Sequence, residues 1–282
     1  MSAAYRLKTS GLTINVRHEG SGPPLLFLGG SNSDLSIKAP VFNSELPKHF
    51  TVASADHRGL GATDAPEGVW SMQHYAQDAV DLLGALGWEQ VDVLGESFGA
   101  MIAMHLAVLA PERLRRMALA AGSAGGEGGS SYPIHEFLKI DDPYLRAQAA
   151  LGILDTRFAK LSEVSPDEAE SQIRNRMAAD LAFQHSHNNT EGYPRLLAAR
   201  ATHDAWQLLP DISVPTLVFS GRYDGQAPPE RARMITEAMP NATLYSVEGA
   251  HNHCFAAAEP VAVILKNWAT RTSACATKDE IP

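Results

Sequence analysis

The 282-residue sequence predicts an α/β fold, with a mainly parallel central sheet, helices on both faces and a helical cap insertion. Short apolar segments bounded by turn residues alternate with segments whose apolar residues recur at helical spacing. One long region without a convincing strand interrupts this alternation. The composition, 45% hydrophobic and 20% charged, is that of a globular protein with a buried core.

Seven segments are predicted to be strands. Most are short apolar runs with turn residues on both sides, as is typical of strands buried on both faces of a parallel sheet. The predicted strands are 12–17, 25–28, 50–53, 91–94, 117–120, 216–219 and 243–247. Because parallel neighbours need crossover connections, helices should cover both faces of this sheet.

Helices are predicted between these strands. Apolar residues recur at helical spacing from Tyr75 to Leu86, and Gly87 follows as a stop signal. A second helix should begin near Ser97 and continue to Leu109. Two more are predicted at 232–239 and 261–268.

The strand-poor region predicts the domain organisation. Residues 124–209 are mostly helix-like and should form a cap over a site, although they could instead complete the outer helical layer. Residues 1–123 and 210–270 should form the α/β core. The polar segment 271–282 is expected to be a disordered tail.

Charge and cysteine content limit the classes of partner and compartment. Lys and Arg total 23 against 32 Asp and Glu, so the net charge of −9 disfavours nucleic acid and anionic membranes as partners. Residues 1–11 resemble no secretory signal, and no apolar run approaches the ~20 residues that span a bilayer. A cytoplasmic protein is therefore expected. Two cysteines, Cys254 and Cys275, are too few for a disulfide framework.

The segment Gly95-Glu96-Ser97-Phe98-Gly99 matches the pattern G-x-S-x-G. A predicted strand precedes it and a predicted helix follows it, which is the strand–turn–helix context of a nucleophile elbow. The tight turn leaves no room for side chains two residues before and after the serine, and glycine occupies both positions. Ser97 is therefore the candidate nucleophile.

A serine hydroxyl needs a base, and the base needs an orienting acid. In folds with this elbow the order along the chain is serine, acid, histidine. His251 follows the last predicted strand and is the favoured base, with His253 as the alternative. Asp224 is the only carboxylate between the strand 216–219 and Glu230, so it is the candidate acid.

Two backbone N–H groups should stabilise the oxyanion of a tetrahedral intermediate. One is that of Phe98, at the start of the helix after the nucleophile. The other belongs to Gly30 or Ser31, in the loop after the strand 25–28, and the sequence leaves that choice open. The glycine pattern of this loop does not match a phosphate-binding loop.

From about residue 12 to 268 the chain resembles the α/β-hydrolase superfamily with a serine nucleophile. Besides the elbow, residues 56–64 (D-H-R-G-L-G-A-T-D) resemble the family's D-x-R-G-x-G-x-S, with Thr63 where serine is usual. Residues 111–114 (P-E-R-L) resemble P-E-R-V, and 221–224 (G-R-Y-D) resemble the G-x-x-D that carries the acid. The resemblance implies the α/β-hydrolase fold and a Ser97–His251–Asp224 triad.

The oxyanion loop departs from the family pattern. Most members begin this loop with His-Gly, whereas this chain has Gly29-Gly30. Members without that histidine include proteins similar to 3-oxoadipate enol-lactonases and polyketide methylesterases. This resemblance implies a small ester or lactone as substrate.

The leading hypothesis is a serine hydrolase that cleaves a carboxylic ester or lactone through an acyl-enzyme, with no metal and no organic cofactor. Alternatives are a carbon–carbon bond hydrolase of dienoic acids, and a slow-turnover ligand receptor on the same scaffold. A prolyl-type aminopeptidase would need carboxylates in the cap, such as Asp167, Glu168 and Glu170. An aspartate nucleophile, as in epoxide and haloalkane hydrolases, is disfavoured by Ser97.

Specificity is expected from cap side chains, with these candidates: Phe137, Leu154, Phe158, Phe183, His185 and Trp206. The sequence predicts no oligomeric state.

Overall fold

The computed structural model describes residues 3–37 and 39–269, and in these residues eight strands form one sheet. The strands are β1 (Tyr5–Lys8), β2 (Thr13–Glu19), β3 (Pro24–Leu28), β4 (Thr51–Ala55), β5 (Val91–Glu96), β6 (Leu114–Ala120), β7 (Thr216–Gly221) and β8 (Ala242–Val247). Their order across the sheet is β1-β2-β4-β3-β5-β6-β7-β8. The β1–β2 and β2–β4 pairs are antiparallel and all other pairs are parallel, so the predicted mainly parallel sheet is confirmed.

All seven predicted strands are present, with ends shifted by up to three residues. Strand β1 was not predicted from the sequence. Most of its side chains are exposed, and it lies at the sheet edge with Tyr5 paired to Val16 of β2. An exposed edge strand carries no apolar run by which to recognise it.

Nine helices are found in the described part of the chain. They are α1 (Met72–Ala85), α2 (Phe98–Leu109), α3 (Pro143–Leu154), α4 (Phe158–Val164), α5 (Pro166–Gln184), α6 (Asn189–Ala201), α7 (Pro229–Ala238), α8 (His253–Ala256) and α9 (Ala258–Trp268). One buried cluster joins side chains of α1, α2 and α7 to one face of the sheet, and a second joins α9 to the other. Both faces are therefore covered, as predicted.

The predicted helical insertion lies between β6 and β7. It contains α3 to α6 and no strand, and α3, α4 and α5 share a small apolar core that includes Phe158 and Ile173. The two ends of the insertion lie side by side, because the Ala205 N–H donates to the Ala124 carbonyl at 2.7 Å. The predicted tail 271–282 lies outside the described residues.

In residues 3–37 and 39–269, no helix is both long and apolar enough to cross a membrane. In the same residues, no three His, Cys, Asp or Glu side chains are grouped so that they could hold a metal ion.

Candidate active site

Ser97 occupies the sharp turn between β5 and α2, with backbone angles φ 56° and ψ −113°. Such a conformation costs a non-glycine residue about 1–3 kcal/mol and persists only where its surroundings hold it. The Ser97 N–H donates to the Ala120 carbonyl of β6 at 2.8 Å. Close backbone packing also holds the turn, because a Cβ at Gly95 would lie 2.5 Å from the Gly99 carbonyl oxygen. A Cβ at Gly99 would lie only 1.9 Å from the Leu28 carbonyl oxygen.

Of the three residues predicted as a triad, His251 lies within hydrogen-bonding distance of both of the others. Nε2 of His251 is 2.9 Å from Oγ of Ser97. Nδ1 of the same ring is 2.9 Å from Oδ2 and 3.0 Å from Oδ1 of Asp224. Asp224 lies in the loop after β7 and His251 in the loop after β8, and all three side chains are buried. The parallel strands bring their carboxyl-terminal loops together at this edge of the sheet.

The Asp224 carboxylate is fixed by its own loop. Its Oδ1 accepts hydrogen bonds from the backbone N–H groups of Gln226 at 2.9 Å and Ala227 at 2.8 Å. An ionised carboxylate is an acceptor only, so the His251 nitrogen that faces it carries the proton. The lone pair of Nε2 is thereby directed at the Ser97 hydroxyl, as a general base requires.

His253, the alternative base, does not contact Ser97. Its ring is fully buried, and Nδ1 donates to the Ala250 carbonyl at 2.8 Å. Burial lowers the pKa of His253, which keeps the ring neutral. The geometry therefore brings His251, and not His253, to the candidate nucleophile.

The loop after β3 lies directly against Ser97. A Cβ at Gly30 would be 3.8 Å from Cβ of Ser97. The buried His57 ring supports the loop by donating from Nε2 to the Gly29 carbonyl at 3.0 Å, and burial lowers the pKa of His57 so that it stays neutral. Gly30 and Ser31 both line the cavity beside Ser97, so the choice between their N–H groups as second oxyanion donor stays open.

The Phe98 N–H, the other predicted donor, belongs to the first turn of α2. N–H groups of a first helical turn have no partner within the helix and carry the positive end of the helix dipole. The Phe98 ring is fully buried, 5.3 Å from the His57 ring in an edge-to-face contact. This packing fixes the start of α2 relative to the loop that His57 supports.

Gln226 belongs to the site and was not predicted. Its side-chain Nε2 lies 2.8 Å from Nε2 of His251 and 3.5 Å from Oγ of Ser97. The amide and the serine hydroxyl thus compete as donors for one imidazole lone pair. Gln226 also lines the cavity beside Ser97. Its position two residues after Asp224 is the only sequence signal that could have indicated it.

A cavity of about 440 Å³ opens above Ser97, within the usual range for small-molecule sites. The insertion contributes part of its wall, including Ile134 and Tyr193. Of the predicted specificity residues, Phe137 and Leu154 line this cavity, and Phe183 lines a smaller one beside it. The other three line neither cavity: Phe158 packs within the insertion core, Trp206 packs on Gly128, and His185 ends α5.

The acidic residues suggested for an aminopeptidase lie elsewhere. Asp167 and Glu168 are exposed in the first turn of α5. Glu170 accepts hydrogen bonds from Arg174 and Tyr144. None of the three lines the cavity, so the structure offers no amine-binding role for them.

Comparison with known proteins decides the family. Residues 23–256 match the model of the family described as the alpha/beta hydrolase fold. The chain belongs to the α/β-hydrolase fold family. The sequence-based assignment is thus confirmed, and with it the fold class.

Relatives of this α/β hydrolase are named as hydrolases of several kinds. A 2-hydroxymuconate semialdehyde hydrolase of Pseudomonas putida is 30% identical, over 84% of this chain and 83% of its own length. A poly(3-hydroxyalkanoate) depolymerase of Ectopseudomonas oleovorans is 27% identical, over 87% and 83%. The crystal structure of an enol-lactonase from Burkholderia xenovorans has 25% identity and a TM-score of 0.75, covering 94% of this chain and all of that one. The chain is a hydrolase.

Proposed function

We propose that this α/β hydrolase cleaves a carboxylic ester or lactone through an acyl-enzyme, with Ser97 as nucleophile. The observation that carries the proposal is the continuous chain of contacts from Ser97 through His251 to Asp224, at the wall of a cavity. Nucleophile, base and orienting acid within hydrogen-bonding reach are what acyl transfer by serine requires.

The contacts support one role for each group in the proposed reaction. Oγ of Ser97 attacks the carbonyl carbon while Nε2 of His251 takes its proton, and Asp224 stabilises the resulting imidazolium. The N–H of Phe98 and that of Gly30 or Ser31 stabilise the oxyanion. Collapse of the intermediate breaks the bond to the leaving oxygen, which receives the proton from His251. Water then attacks the acyl-enzyme with His251 as base and releases the acid and free Ser97.

The substrate is a small molecule, in view of the cavity volume of about 440 Å³. We propose that residues 124–209 act as the cap of this cavity, since Phe137, Leu154 and Tyr193 of the insertion line it together with core residues. One structural relative is named as an enol-lactonase, which supports a lactone among the candidate substrates.

The Ser97→Ala variant tests the proposal with 4-nitrophenyl acetate, 4-nitrophenyl butyrate and a lactone panel. Loss of the nucleophile should reduce kcat by several powers of ten, as about 10⁶-fold losses show in comparable triads. Ser162→Ala, a serine on α4 that does not line the cavity, is the matched control. Equal rates for wild type and Ser97→Ala would show that Ser97 is not the nucleophile. Release of a single product molecule per protein molecule, without further turnover, would favour the slow-turnover ligand receptor.

A carbon–carbon bond hydrolase is the second candidate. It is favoured by the 30% identity to a 2-hydroxymuconate semialdehyde hydrolase over most of both chains. Disappearance of 2-hydroxymuconate semialdehyde can be followed by its absorbance. If its kcat/KM exceeds that of every ester and lactone by two or more powers of ten, the carbon–carbon reaction replaces the ester reaction as the main activity.

A further inference from the structure

Glu96 carries a carboxyl group that the proposed mechanism does not use. It is the last residue of β5, directly before Ser97, and it lines the cavity. None of the described residues donates a hydrogen bond to this carboxyl group, although the side chain is half-buried. Because Glu96 lines the cavity and no described residue bonds its carboxyl group, this group is available to a ligand that enters the cavity.

The other carboxylate that lines the cavity, Asp34, is already engaged. It accepts hydrogen bonds from the Ser36 N–H at 2.9 Å and from Nδ2 of Asn189 at 2.6 Å. These bonds hold the pKa of Asp34 below its usual value despite its burial. Glu96 is therefore the carboxyl group left for a ligand among the described residues that line the cavity.

Aromatic rings lie on the same flank as Glu96. Side chains alternate along a strand, so Glu96 shares its face of the sheet with Leu94, which is in register with Phe27 of β3. The charge of Glu96 adds to burial in raising the pKa of the Cys254 thiol on α8, so the two residues are close. The next residue, Phe255, lines the cavity and packs edge-to-face on Phe27 at 5.4 Å.

A carboxylate beside aromatic rings is the surface that recognises an alkylammonium group, through charge-assisted hydrogen bonds and cation–π contact. Burial raises the pKa of Glu96 to about 7, opposed by the nearby His251. The protein alone therefore does not fully compensate the free-energy cost of desolvating the ionised Glu96 carboxylate, and a bound cation would offset that cost.

Arg176 of α5 is the cation among the described side chains that line the cavity. Its Nε already donates to Oδ1 of Asp180 at 2.8 Å, so its charge is paired within the same helix. The unpaired charge of the cavity is therefore negative. The net charge of −9 adds a field that attracts cations rather than anions.

We propose that Glu96 is a specificity-determining residue that binds a primary alkylammonium group on the substrate, beside the rings of Phe27 and Phe255. The substrate class is then an ester or lactone that also carries a positively charged amine. The reaction part of this statement rests on the proposed function, whereas the binding part does not depend on turnover.

The test is a direct binding measurement with three ligands of matched length: n-hexylammonium, 1-hexanol and hexanoate. Titrations at pH 8, where the amine is charged, are followed by calorimetry or ligand-observed NMR with wild type, Glu96→Gln and Ser97→Ala. In wild type, n-hexylammonium should bind about tenfold tighter than 1-hexanol, the equivalent of about 1.4 kcal/mol. Glu96→Gln should remove this preference, and Ser97→Ala should keep it.

Two further variants keep the outcome decisive. Asp34→Asn removes the engaged cavity carboxylate and should preserve the preference for ammonium. Glu96→Asp keeps the charge and should preserve the preference if Glu96→Gln fails to fold. Equal binding of ammonium and alcohol, a preference that survives in Glu96→Gln, or tightest binding of hexanoate would each overturn the proposal. A failure of the Ser97→Ala rate test with an intact ammonium preference would instead overturn only the proposed reaction.

Discussion

In the proposed mechanism, Asp224 determines which nitrogen of His251 carries the proton. An asparagine at this position can present an N–H group to Nδ1, which then accepts, so the ring proton moves to Nε2 and no lone pair faces Ser97. We expect Asp224→Asn to fold normally and to lose about 10⁴-fold in kcat. Steady-state hydrolysis of 4-nitrophenyl butyrate measures this loss, and Asp211→Asn, an exposed aspartate, is the control. A loss below about tenfold would exclude an orienting role for Asp224.

The site residues whose placement could be predicted are those that follow from order along the chain. Ser97, Asp224 and His251 each follow a recognisable strand, and the structure places the His251 ring within 3.0 Å of both other side chains. Gln226 and Glu96 could not be predicted in the same way. The position of the Gln226 amide depends on the conformation of the loop after β7, and the state of Glu96 depends on burial, neither of which a local motif encodes.

The turn between β5 and α2 depends on backbone contact with β3. In Gly99→Ala the new Cβ would lie 1.9 Å from the Leu28 carbonyl oxygen, so α2 or the loop after β3 must shift. We expect a loss of about 1–3 kcal/mol in the free energy of unfolding and a fall in kcat, because that loop carries the proposed second oxyanion donor. Denaturant unfolding and ester hydrolysis measure the two effects.

Gly84 supplies the matched control for this substitution. It is exposed in α1, and nothing lies within 4 Å of a Cβ built there. Gly84→Ala should therefore raise the free energy of unfolding by about 0.5–1 kcal/mol without changing kcat. If Gly99→Ala behaved like Gly84→Ala, close packing of α2 against β3 would not be what holds the Ser97 turn.

Elements buried on both sides were predicted more reliably than exposed ones. Strands β3, β5 and β7 appear as apolar runs because both of their faces contact helices. Strand β1 has no such run, and α8, with four residues, is too short to show a period. The bounds of α3 to α6 could not be derived because the insertion is only partly buried and its apolar periodicity is weak.

A buried histidine pair makes the stability of the whole molecule depend on pH. Nε2 of His105 lies 3.2 Å from Nδ1 of His203, and Nε2 of His203 donates to the Ser123 carbonyl at 2.9 Å. Burial lowers the pKa of His203 to about 4. Between pH 6.5 and 4 the unfolded chain binds a proton that the folded chain does not, so the free energy of unfolding falls as the pH falls.

This component should amount to at most about 1.4 kcal/mol per pH unit. Gln at position 203 offers a donor and an acceptor without titrating, so His203→Gln should flatten the dependence between pH 6.5 and 5. Urea unfolding at pH 7.5, 6.0 and 5.0 measures it, with His49→Gln, an exposed histidine, as the control. An unchanged slope in His203→Gln would assign the acid sensitivity to other groups.

Because the two ends of the insertion are adjacent, the insertion can be exchanged for the corresponding segment of a relative. The Ala205 N–H bonds to the Ala124 carbonyl, and Gly125 pairs with Asp204 in a single β-bridge. A segment that enters and leaves the core at neighbouring points can be replaced with little change in closure entropy, since each doubling of its length costs only about 0.6 kcal/mol. Chimaeras that join the helical segment of a relative at this bridge should therefore keep the sheet and the Ser97–His251–Asp224 geometry. The chimaera would then take its substrate specificity from the relative that supplies the helical segment, and its proposed catalytic residues from this chain.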